Sequence, residues 1–420
     1  MKAYLTKPPM GWNSWDCYGA SVTEEEVRRN AEYMAANLKQ FGWEYVVVDI
    51  QWYEPNAAGA DYNKNAELIM DEYARLLPAP NRFWSAEGGR GFQPLADFVH
   101  SLGLKFGIHI LRGIPRQAVR QNAKILSTTH TAAEIADLGS VCLWNDDMCG
   151  VDMTRDGAQA YYDSIVSLYA SWGVDFIKAD DMARPYHKAE IEALQRAIQN
   201  SGRQMLLSLS PGEAPLKEAL HLHENAHMWR MTDDFWDSWE QLRKMFDYCR
   251  DWFAYVGRGG FPDCDMLPLG RIGIRSHGGD RRTRFTKEEQ KVLFTLWCMF
   301  RSPLMFGGDM TDNDAFTLSL MQNETLIKIN QQSHAGREVY RRGNEIVWAA
   351  NGRDGETYVA QFNVGEEPLT AATDLAFVGI GSGAVIREVW EDRAAEPDEE
   401  NVLRSALMPH SVKLFEIKPF

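Results

Sequence analysis

The stretch YVVVDIQW, residues 45–52, runs three valines directly into a carboxylate. Such a β-branched run predicts a strand that is buried on both faces, as in a parallel sheet covered by helices. In barrels built from such strands, the chemistry lies at the carboxyl ends of the strands. Asp49 is therefore a candidate site residue. Ile50, which follows it, is unexpected because its side chain can form no hydrogen bond.

Seven further strand candidates alternate with helical segments in the first three quarters of the chain. The eight candidates are residues 10–13, 45–49, 105–110, 175–180, 205–210, 228–232, 263–266 and 303–308. Apolar residues at helical spacing separate them, and Thr23 with Glu26 predicts a capping box at the first helix. This alternation predicts a (β/α)₈ TIM barrel over residues 1–330. Short strand-like runs between Gly, Asn and Asp turns then predict a C-terminal antiparallel β-sandwich over residues 331–420.

Composition limits the possible partners and the location. A net charge of −15 argues against nucleic acid and membrane, which need positive potential. The basic stretch 275–285 is predicted to be a solvated loop, with a position at the rim of the site as the alternative. The six cysteines include no C-x-x-C pair and indicate buried thiols. The sequence shows neither a membrane-length apolar run nor a signal-peptide pattern, so we expect a cytoplasmic protein. The oligomeric state stays open, a homo-oligomer included.

Polar side chains recur at the predicted carboxyl ends of the strands. They are Asp49, His109, Lys178, Asp180, Ser210, Arg230, Asp234 and Asp265. A single aspartate there is usually a turn former or helix cap. So many charges at one end of one barrel instead indicate a functional pocket, because each buried ion needs compensation. Aromatic residues of the same loops could stack on a sugar ring: Trp12, Trp15, Trp52, Tyr53, Trp144 and Trp236.

Two of these carboxylates suit glycoside hydrolysis, in which one acts at the anomeric carbon and the other protonates the departing oxygen. Lys178 precedes Asp180 by two residues on the same side of its strand, so its charge is expected to hold Asp180 as a nucleophilic carboxylate. Asp234 is followed by Phe235 and Trp236, an apolar setting that would suit the acid. In a retaining enzyme the two carboxyl groups would lie about 5 Å apart.

Six motifs occur in one order along the chain. They are MGWNSW (10–15), D-x-x-W (49–52), WGVDFIKAD (172–180), WRMTDDFWDSW (229–239), PDCDML (262–267) and SPLMFGGD (302–309). This order resembles glycoside hydrolase family 27, the family of α-galactosidases and α-N-acetylgalactosaminidases. The resemblance implies a retaining mechanism with Asp180 as nucleophile and Asp234 as acid/base. The residues implied to hold the sugar are Trp15, Asp49, Lys178, Arg230 and Asp265, with His109 where the family often has Tyr. We expect no metal, no other cofactor, and a glycoside or oligosaccharide as substrate.

Ile50 departs from the family pattern and bears on the substrate. Galactosidases of the family usually carry two adjacent acids here, which bind the 4- and 6-hydroxyls. A hydroxyl buried against isoleucine would lose a partner, at about 1–3 kcal/mol. β-L-Arabinopyranose matches α-D-galactopyranose but lacks C6, so a β-L-arabinopyranoside is the first choice of substrate. Alternatively, Ile50 turns into the layer behind the strand and an α-D-galactoside binds regardless.

Ser210 is a second departure. Galactosidases often have Glu here, near the 2-hydroxyl, whereas N-acetylgalactosaminidases have Ser, so an N-acetylgalactosaminide also stays open. Pro211, Gly212 and Glu213 differ from the loop of those enzymes.

Two other hypotheses of function have less support in the sequence. H-E-x-x-H at 223–227 is the zinc motif of metalloproteases, but it bridges a predicted helix end and a strand. A non-catalytic sugar-binding protein would not need two opposed carboxylates.

Overall fold

Eight parallel strands form the barrel in the computed structural model, which describes residues 5–210, 212–381 and 383–418. They are β1 Met10–Asn13, β2 Tyr45–Val48, β3 Lys105–Leu111, β4 Phe176–Asp180, β5 Leu206–Leu209, β6 Met228–Arg230, β7 Phe261–Asp263 and β8 Leu304–Phe306. Their order is β7-β6-β5-β4-β3-β2-β1-β8, with every neighbouring pair parallel. A parallel bridge between Leu267 and Phe306 joins the two ends of the sheet. The predicted (β/α)₈ barrel is confirmed.

Helices follow the strands and cover the barrel. They are α1 Glu24–Asn37, α2 Gln93–Ser101, α3 Ala158–Ser171, α4 Lys188–Asn200, α5 Ala219–Asn225, α6 Trp239–Trp252, α7 Lys287–Phe300, α8 Ala315–Met321 and α9 Glu324–Gln332. Shorter helices lie at Trp15–Tyr18, Arg116–Gln121 and Ala132–Ile135. The capping box at the start of α1 is confirmed: the side chain of Thr23 accepts the N–H of Glu26, and the Glu26 side chain accepts the N–H of Thr23.

The seventh strand ends earlier than the sequence predicts. It closes at Asp263, whose carboxylate accepts the N–H of Asp265 at 2.9 Å. The backbone of Asp265 then has a φ of 79°, in the left-handed region, which ends the extended conformation. Asp265 therefore lies in the turn after β7, where its side chain is directed by that turn.

An apolar layer fills the barrel below the carboxyl ends of the strands. It includes Tyr45, Val47, Phe176, Leu206, Met228 and Met305. Gly11 allows β1 to approach β2, since a Cβ there would lie 2.3 Å from the carbonyl oxygen of Tyr45. The polar residues above this layer are consequently directed toward the mouth of the barrel.

The C-terminal part is an antiparallel β structure, as predicted. Its strands are β9 His334–Arg342, β10 Glu345–Asn351, β11 Thr357–Asn363, β12 Leu369–Asp374, β13 Val385–Glu388, β14 Arg393–Ala395, β15 Val402–Leu407 and β16 Ser411–Lys418. Six of them form a sheet in the order β9-β10-β11-β16-β13-β14, and β12 pairs with β15. The ring of His410 stacks on that of Trp239 from α6 at 3.8 Å, which attaches this part to the barrel.

Two loops of the barrel carry small sheets of their own. Strands Ile114–Pro115, Ala136–Val141 and Met148–Val151 follow β3, and strands Arg271–Ile272 and Arg281–Arg282 follow β7. All six cysteines are buried free thiols. Within the described ranges, no helix combines the length and the apolar character needed to cross a bilayer.

Candidate active site

One cavity of 730 Å³ opens at the carboxyl ends of the barrel strands. Most of the predicted site residues line it: Trp15, Asp49, Ile50, Lys178, Asp180, Ser210, Arg230 and Asp234. The other two, His109 and Asp265, are buried directly behind this wall, where they contact Asp180 and Arg230 respectively. The tips of β2, β4, β5 and β6 thus contribute to a single concave site.

Asp49 is the centre of a buried hydrogen-bond group. Its Oδ2 accepts from Asn13 Nδ2 and from Lys178 Nζ, each at 2.8 Å, and its Oδ1 accepts the N–H of Ile50. Burial disfavours the charged carboxylate, but the ammonium of Lys178 and these hydrogen bonds prevail and hold the pKa of Asp49 well below its usual value. Asp49 in turn raises the pKa of Lys178 against the effect of burial. Both groups therefore stay charged.

Two neighbouring groups bind the carboxylate of Asp180. His109 Nε2 lies 2.8 Å from Asp180 Oδ2, and the N–H of Asp181 donates to Oδ1 at 2.6 Å. A carboxylate acceptor at this contact requires the tautomer of His109 that carries a proton on Nε2. The ammonium of Lys178 is hydrogen-bonded to Asp49 and interacts with Asp180 through its charge. That this charge keeps Asp180 ionised stays a prediction.

A buried arginine fixes the backbone around Asp180. The N–H of Arg112 donates to the Asp180 carbonyl at 3.1 Å, and its guanidinium binds the carbonyl and the carboxylate of Asp181, the latter at 2.8 Å. The same guanidinium contacts Glu190 and Ser140. Burial raises the pKa of Asp181 to about 6, although Arg112 opposes the shift. This support could not be predicted from the sequence, because its members lie on four separate segments.

Asp234 does not have the apolar setting that the sequence predicts. Its side chain is 53% exposed, and Oδ1 accepts from Arg230 Nη2 at 3.0 Å. The side chain of Phe235 is buried, and the N–H of Phe235 donates to Asp265 Oδ2. Arg230 Nη1 also binds Asp265 Oδ1 at 2.7 Å. Burial would lower the pKa of Arg230, but the charge of Asp265, and then that of Asp234, raises it. The guanidinium of Arg230 is therefore permanently charged.

Two carboxyl groups beneath the site are pushed toward the neutral form. Burial, reinforced by Asp265, raises the pKa of Asp263 to about 7. Burial likewise raises the pKa of Asp16 far above its usual value, and Asp265 adds to the shift. Within the described ranges, Asp16 Oδ2 is a buried atom without a hydrogen-bond partner. Burial therefore shifts both acids toward the neutral form, whereas Lys178 holds Asp49 charged at the cavity wall.

The aromatic predictions divide into two groups. Trp15 and Trp144 line the cavity, whereas Trp12, Trp52 and Tyr53 are fully buried in the core and do not. These three belong to the main hydrophobic core, as large apolar side chains commonly do. Trp236 is absent from the wall as well; its ring meets His277 edge-on at 5.7 Å.

Tyr62 and His277 also line the cavity, and neither was predicted from the sequence. The ring of Tyr62 stacks on Trp15, with 6.2 Å between centroids and 17° between planes. His277 belongs to the basic stretch that we expected to be a solvated loop. That expectation is wrong in part, since Arg281 of the same stretch pairs with the buried carboxylate of Asp237. The sequence signal for His277 was its place in an Arg-rich stretch.

Ile50 and Ser210, the two departures noted above, both line the cavity. Ile50 is 2% exposed and belongs to the same apolar cluster as Trp15 and Met266, which also line the cavity. The hydroxyl of Ser210 is buried and has no hydrogen-bond partner among the residues that the structure describes. Pro211, part of the second departure noted above, lies outside the described residues.

The zinc motif does not assemble. Helix α5 ends at Asn225, so His227 lies beyond it, and its Nδ1 accepts the N–H of Leu207. His223 Nε2 is hydrogen-bonded to the carbonyl of Tyr255. Among residues 5–210, 212–381 and 383–418, no cluster of three His, Cys, Asp or Glu side chains could hold a metal ion.

Two family models match the chain. The model for alpha galactosidase A matches residues 141–332, and the model for the alpha galactosidase C-terminal beta sandwich domain matches residues 342–417. Among curated proteins, an alpha-galactosidase from Coffea arabica is 28% identical over 98% of this chain and 94% of its own length.

Solved structures give stronger similarities. A family 27 β-L-arabinopyranosidase from Geobacillus stearothermophilus is 54% identical, with a TM-score of 0.96 over 99% of this chain and 97% of that one. A variant of the Geobacillus enzyme was solved in complex with arabinose. A putative α-N-acetylgalactosaminidase from Bacillus halodurans is also 54% identical, with a TM-score of 0.89 over 98% and 97% of the two chains.

The raised pKa of Asp263 predicts a stability that depends on pH. The pKa of an aspartate in the unfolded chain is about 4. The folded protein therefore binds the proton of the Asp263 carboxyl group more tightly than the unfolded chain does. The corresponding stabilisation is complete below about pH 4 and is lost as the pH rises toward 7. Replacing Asp263 with asparagine keeps an acceptor for the N–H of Asp265 but removes the titration. Denaturant unfolding between pH 4 and 8 should therefore show a flatter profile for Asp263→Asn than for the parent.

The exposed Asp251→Asn is the control and should follow the parent profile. Parallel profiles for the parent and Asp263→Asn would contradict the assignment of a neutral carboxyl group at this position.

Proposed function

Because the chain belongs to glycoside hydrolase family 27, we propose that it is a retaining exo-glycosidase that releases a terminal β-L-arabinopyranosyl group. That it is a glycoside hydrolase follows from the family. The observation that carries the finer proposal is Ile50, an apolar residue of the cavity floor immediately after Asp49. The proposal extends to the two carboxylates, Asp180 and Asp234, and to the neighbours that orient them.

In the proposed reaction, Asp180 attacks the anomeric carbon and forms a covalent glycosyl-enzyme. His109 and the N–H of Asp181 each bind one carboxylate oxygen of Asp180, which holds the group in a fixed orientation. Lone pairs remain on both oxygens, so these hydrogen bonds leave room for attack. Water later attacks the same carbon from the side that the aglycone left, and the original configuration is restored.

Asp234 is proposed as the acid and then the base. It protonates the departing oxygen and deprotonates the incoming water. Its half-exposed side chain lies at the mouth of the cavity, where the aglycone leaves and water enters. The hydrogen bond from Arg230 to Oδ1 keeps Asp234 oriented while the other oxygen is available.

The charged wall is proposed to bind the hydroxyls of the sugar. Asp49 can accept from a hydroxyl and Lys178 can donate to one, and their mutual ion pair keeps both charged in the buried site. Trp15 offers a ring face beside them. Ile50 would occupy the space of C6 and leave a 6-hydroxyl without a partner, so the pentose is favoured over galactose by exclusion as much as by contact.

An α-N-acetylgalactosaminide is the second candidate substrate, and an α-D-galactoside the third. Ser210 favours the second, because its hydroxyl has no hydrogen-bond partner among the described residues and could bind a ligand group at the cavity wall. The putative α-N-acetylgalactosaminidase from Bacillus halodurans is as similar in sequence as the arabinopyranosidase.

Replacement of the two carboxylates tests the mechanism. Asp180→Ala should abolish turnover of nitrophenyl β-L-arabinopyranoside while the far-ultraviolet circular dichroism stays that of the parent. Asp234→Ala should lower kcat about 10²–10⁴-fold for substrates that need a proton on the leaving group. Added azide should rescue both variants, with a glycosyl azide of inverted configuration from the first and of retained configuration from the second.

The surface variant Asp251→Ala serves as the control and should keep full activity. Parent-like turnover by Asp180→Ala would refute the assignment of the nucleophile.

Ile50 is tested by its effect on the choice of sugar. The parent should have a higher kcat/KM for nitrophenyl β-L-arabinopyranoside than for nitrophenyl α-D-galactopyranoside. Ile50→Asp should shift this ratio toward the galactoside by about 10- to 100-fold, since one buried hydroxyl gains or loses a partner. Ile50→Val should keep the parent preference. A parent that prefers the galactoside, with a ratio that Ile50→Asp leaves unchanged, would contradict the proposal.

A further inference from the structure

A second cavity, of 970 Å³, lies at the opposite end of the barrel from the candidate active site. Its wall includes residues that precede three strands: Lys7 before β1, Gly42 before β2 and Arg301 before β8. Helix α9 and His334, the first residue of β9, also contribute, so the cavity lies where the barrel meets the C-terminal β structure. None of the roles proposed above uses a residue of this cavity.

The wall of this cavity is positively charged although the protein as a whole is acidic. Its lysine, arginine and acidic residues are Lys7, Arg301, Glu324, Lys328 and Arg353. Lys328 forms ion pairs with Asp354 and Glu356. The other three cations have no carboxylate partner among the residues that the structure describes. In a chain with a net charge of −15, such a local surplus of positive charge favours an anionic ligand.

Arg301 is held by backbone oxygens rather than by a carboxylate. Its Nε donates to the carbonyl of Asn330 at 2.8 Å, and its Nη2 donates to the carbonyls of Thr6 and Gln331, each at 3.2 Å. Its Nη1 has no hydrogen-bond partner in the described part of the chain. Burial, which no neighbouring carboxylate offsets, lowers the pKa of Arg301 to about 10. A bound anion would compensate this partly buried charge.

Ser333 provides an independent indication of a polar ligand. It lies between α9 and β9, lines the cavity and is only 1% exposed. Its Oγ is buried and has no hydrogen-bond partner within the described ranges. A buried hydroxyl without a partner costs free energy, so a ligand oxygen that accepts from Ser333 would be favoured at this point.

We propose that this second cavity binds a small molecule that carries a phosphate group. Lys7, Arg301 and Arg353 supply the opposite charge, and the hydroxyl of Ser333 donates a hydrogen bond. A phosphate monoester has a charge of about −1.5 to −2 at pH 7, so it matches several cations better than a single carboxylate does. Amide groups of the wall can bind the rest of the ligand, such as the hydroxyls of a sugar phosphate; they belong to Gln40, Gln331 and Gln332. The proposal is independent of the glycosidase function, because the two cavities share no residue.

Isothermal titration calorimetry of the whole chain tests the site, with glucose 6-phosphate, inorganic phosphate and citrate as probes at constant ionic strength. Glucose 6-phosphate and inorganic phosphate should each bind at one site per chain and compete with each other. Ser333→Ala should raise both dissociation constants about 10-fold, because a hydrogen bond to a charged group is lost. Lys7→Gln and Arg353→Gln should each raise them about 2- to 5-fold, since an exposed charge contributes less.

Lys217→Gln is the matched control, since Lys217 is exposed and lies outside the cavity, and it should leave both dissociation constants unchanged. Failure of either phosphate compound to bind would overturn the proposal. Binding that Lys7→Gln and Arg353→Gln leave unchanged would also overturn it, because the anion would then lie elsewhere. These two side chains are exposed, so both variants should fold even if Ser333→Ala does not. Tighter binding of citrate than of both phosphate compounds would contradict the choice of phosphate.

Discussion

The ion pair between Lys178 and Asp49 is the interaction on which the site depends. It joins the tips of β4 and β2 across the intervening β3, and both charges are buried. Removing one partner of such a pair leaves an uncompensated charge, at a cost of about 3–5 kcal/mol. The arrangement therefore fixes the geometry of the mouth and also its charge state, because each group holds the other ionised.

The same principle extends around the barrel mouth. Arg230 binds Asp265 and Asp234 on the neighbouring turns, and Arg112 binds Asp181 and Glu190 behind β4. Each of these two arginines is shared between two carboxylates, while burial shifts Asp263 and Asp16 toward the neutral form. The barrel can therefore concentrate carboxylates at one end without accumulating unpaired buried charge.

Asp180 and Asp234 differ in their surroundings as their proposed roles require. Asp180 is enclosed and hydrogen-bonded at both oxygens, so its position is fixed. Asp234 is bound at one oxygen and half-exposed, so it can exchange protons with water at the mouth. The distinction arises from burial and partners, not from residue type.

The barrel and the candidate residues could be predicted from the sequence because parallel strands impose a strong constraint. Once β2 and β4 are recognised, residues at their ends, such as Asp49 and Asp180, must meet at one edge. Partners were harder to predict. The bond from Lys178 to Asp49 spans 129 positions in the chain, and nothing local to either residue specifies it.

Long loops were the other source of error. Tyr62 and Asn145 follow β2 and β3 within irregular segments, where no periodicity reports which side chain faces the cavity. Trp52 also follows a strand, but its ring packs against Phe92, Tyr169 and Trp172 in the core. Its Nε1 donates to the carbonyl of His109. The sequence of a loop shows which residue types are present, whereas packing decides which of their side chains face the cavity.

The most direct test of the account is the configuration of the sugar when it is first released. Proton NMR during the opening minutes of nitrophenyl β-L-arabinopyranoside hydrolysis, before mutarotation, distinguishes the two anomers. If Asp180 and Asp234 flank one anomeric carbon and act in succession, the first product is β-L-arabinopyranose, with configuration retained. Initial release of the α anomer would mean a single displacement by water and would contradict the account.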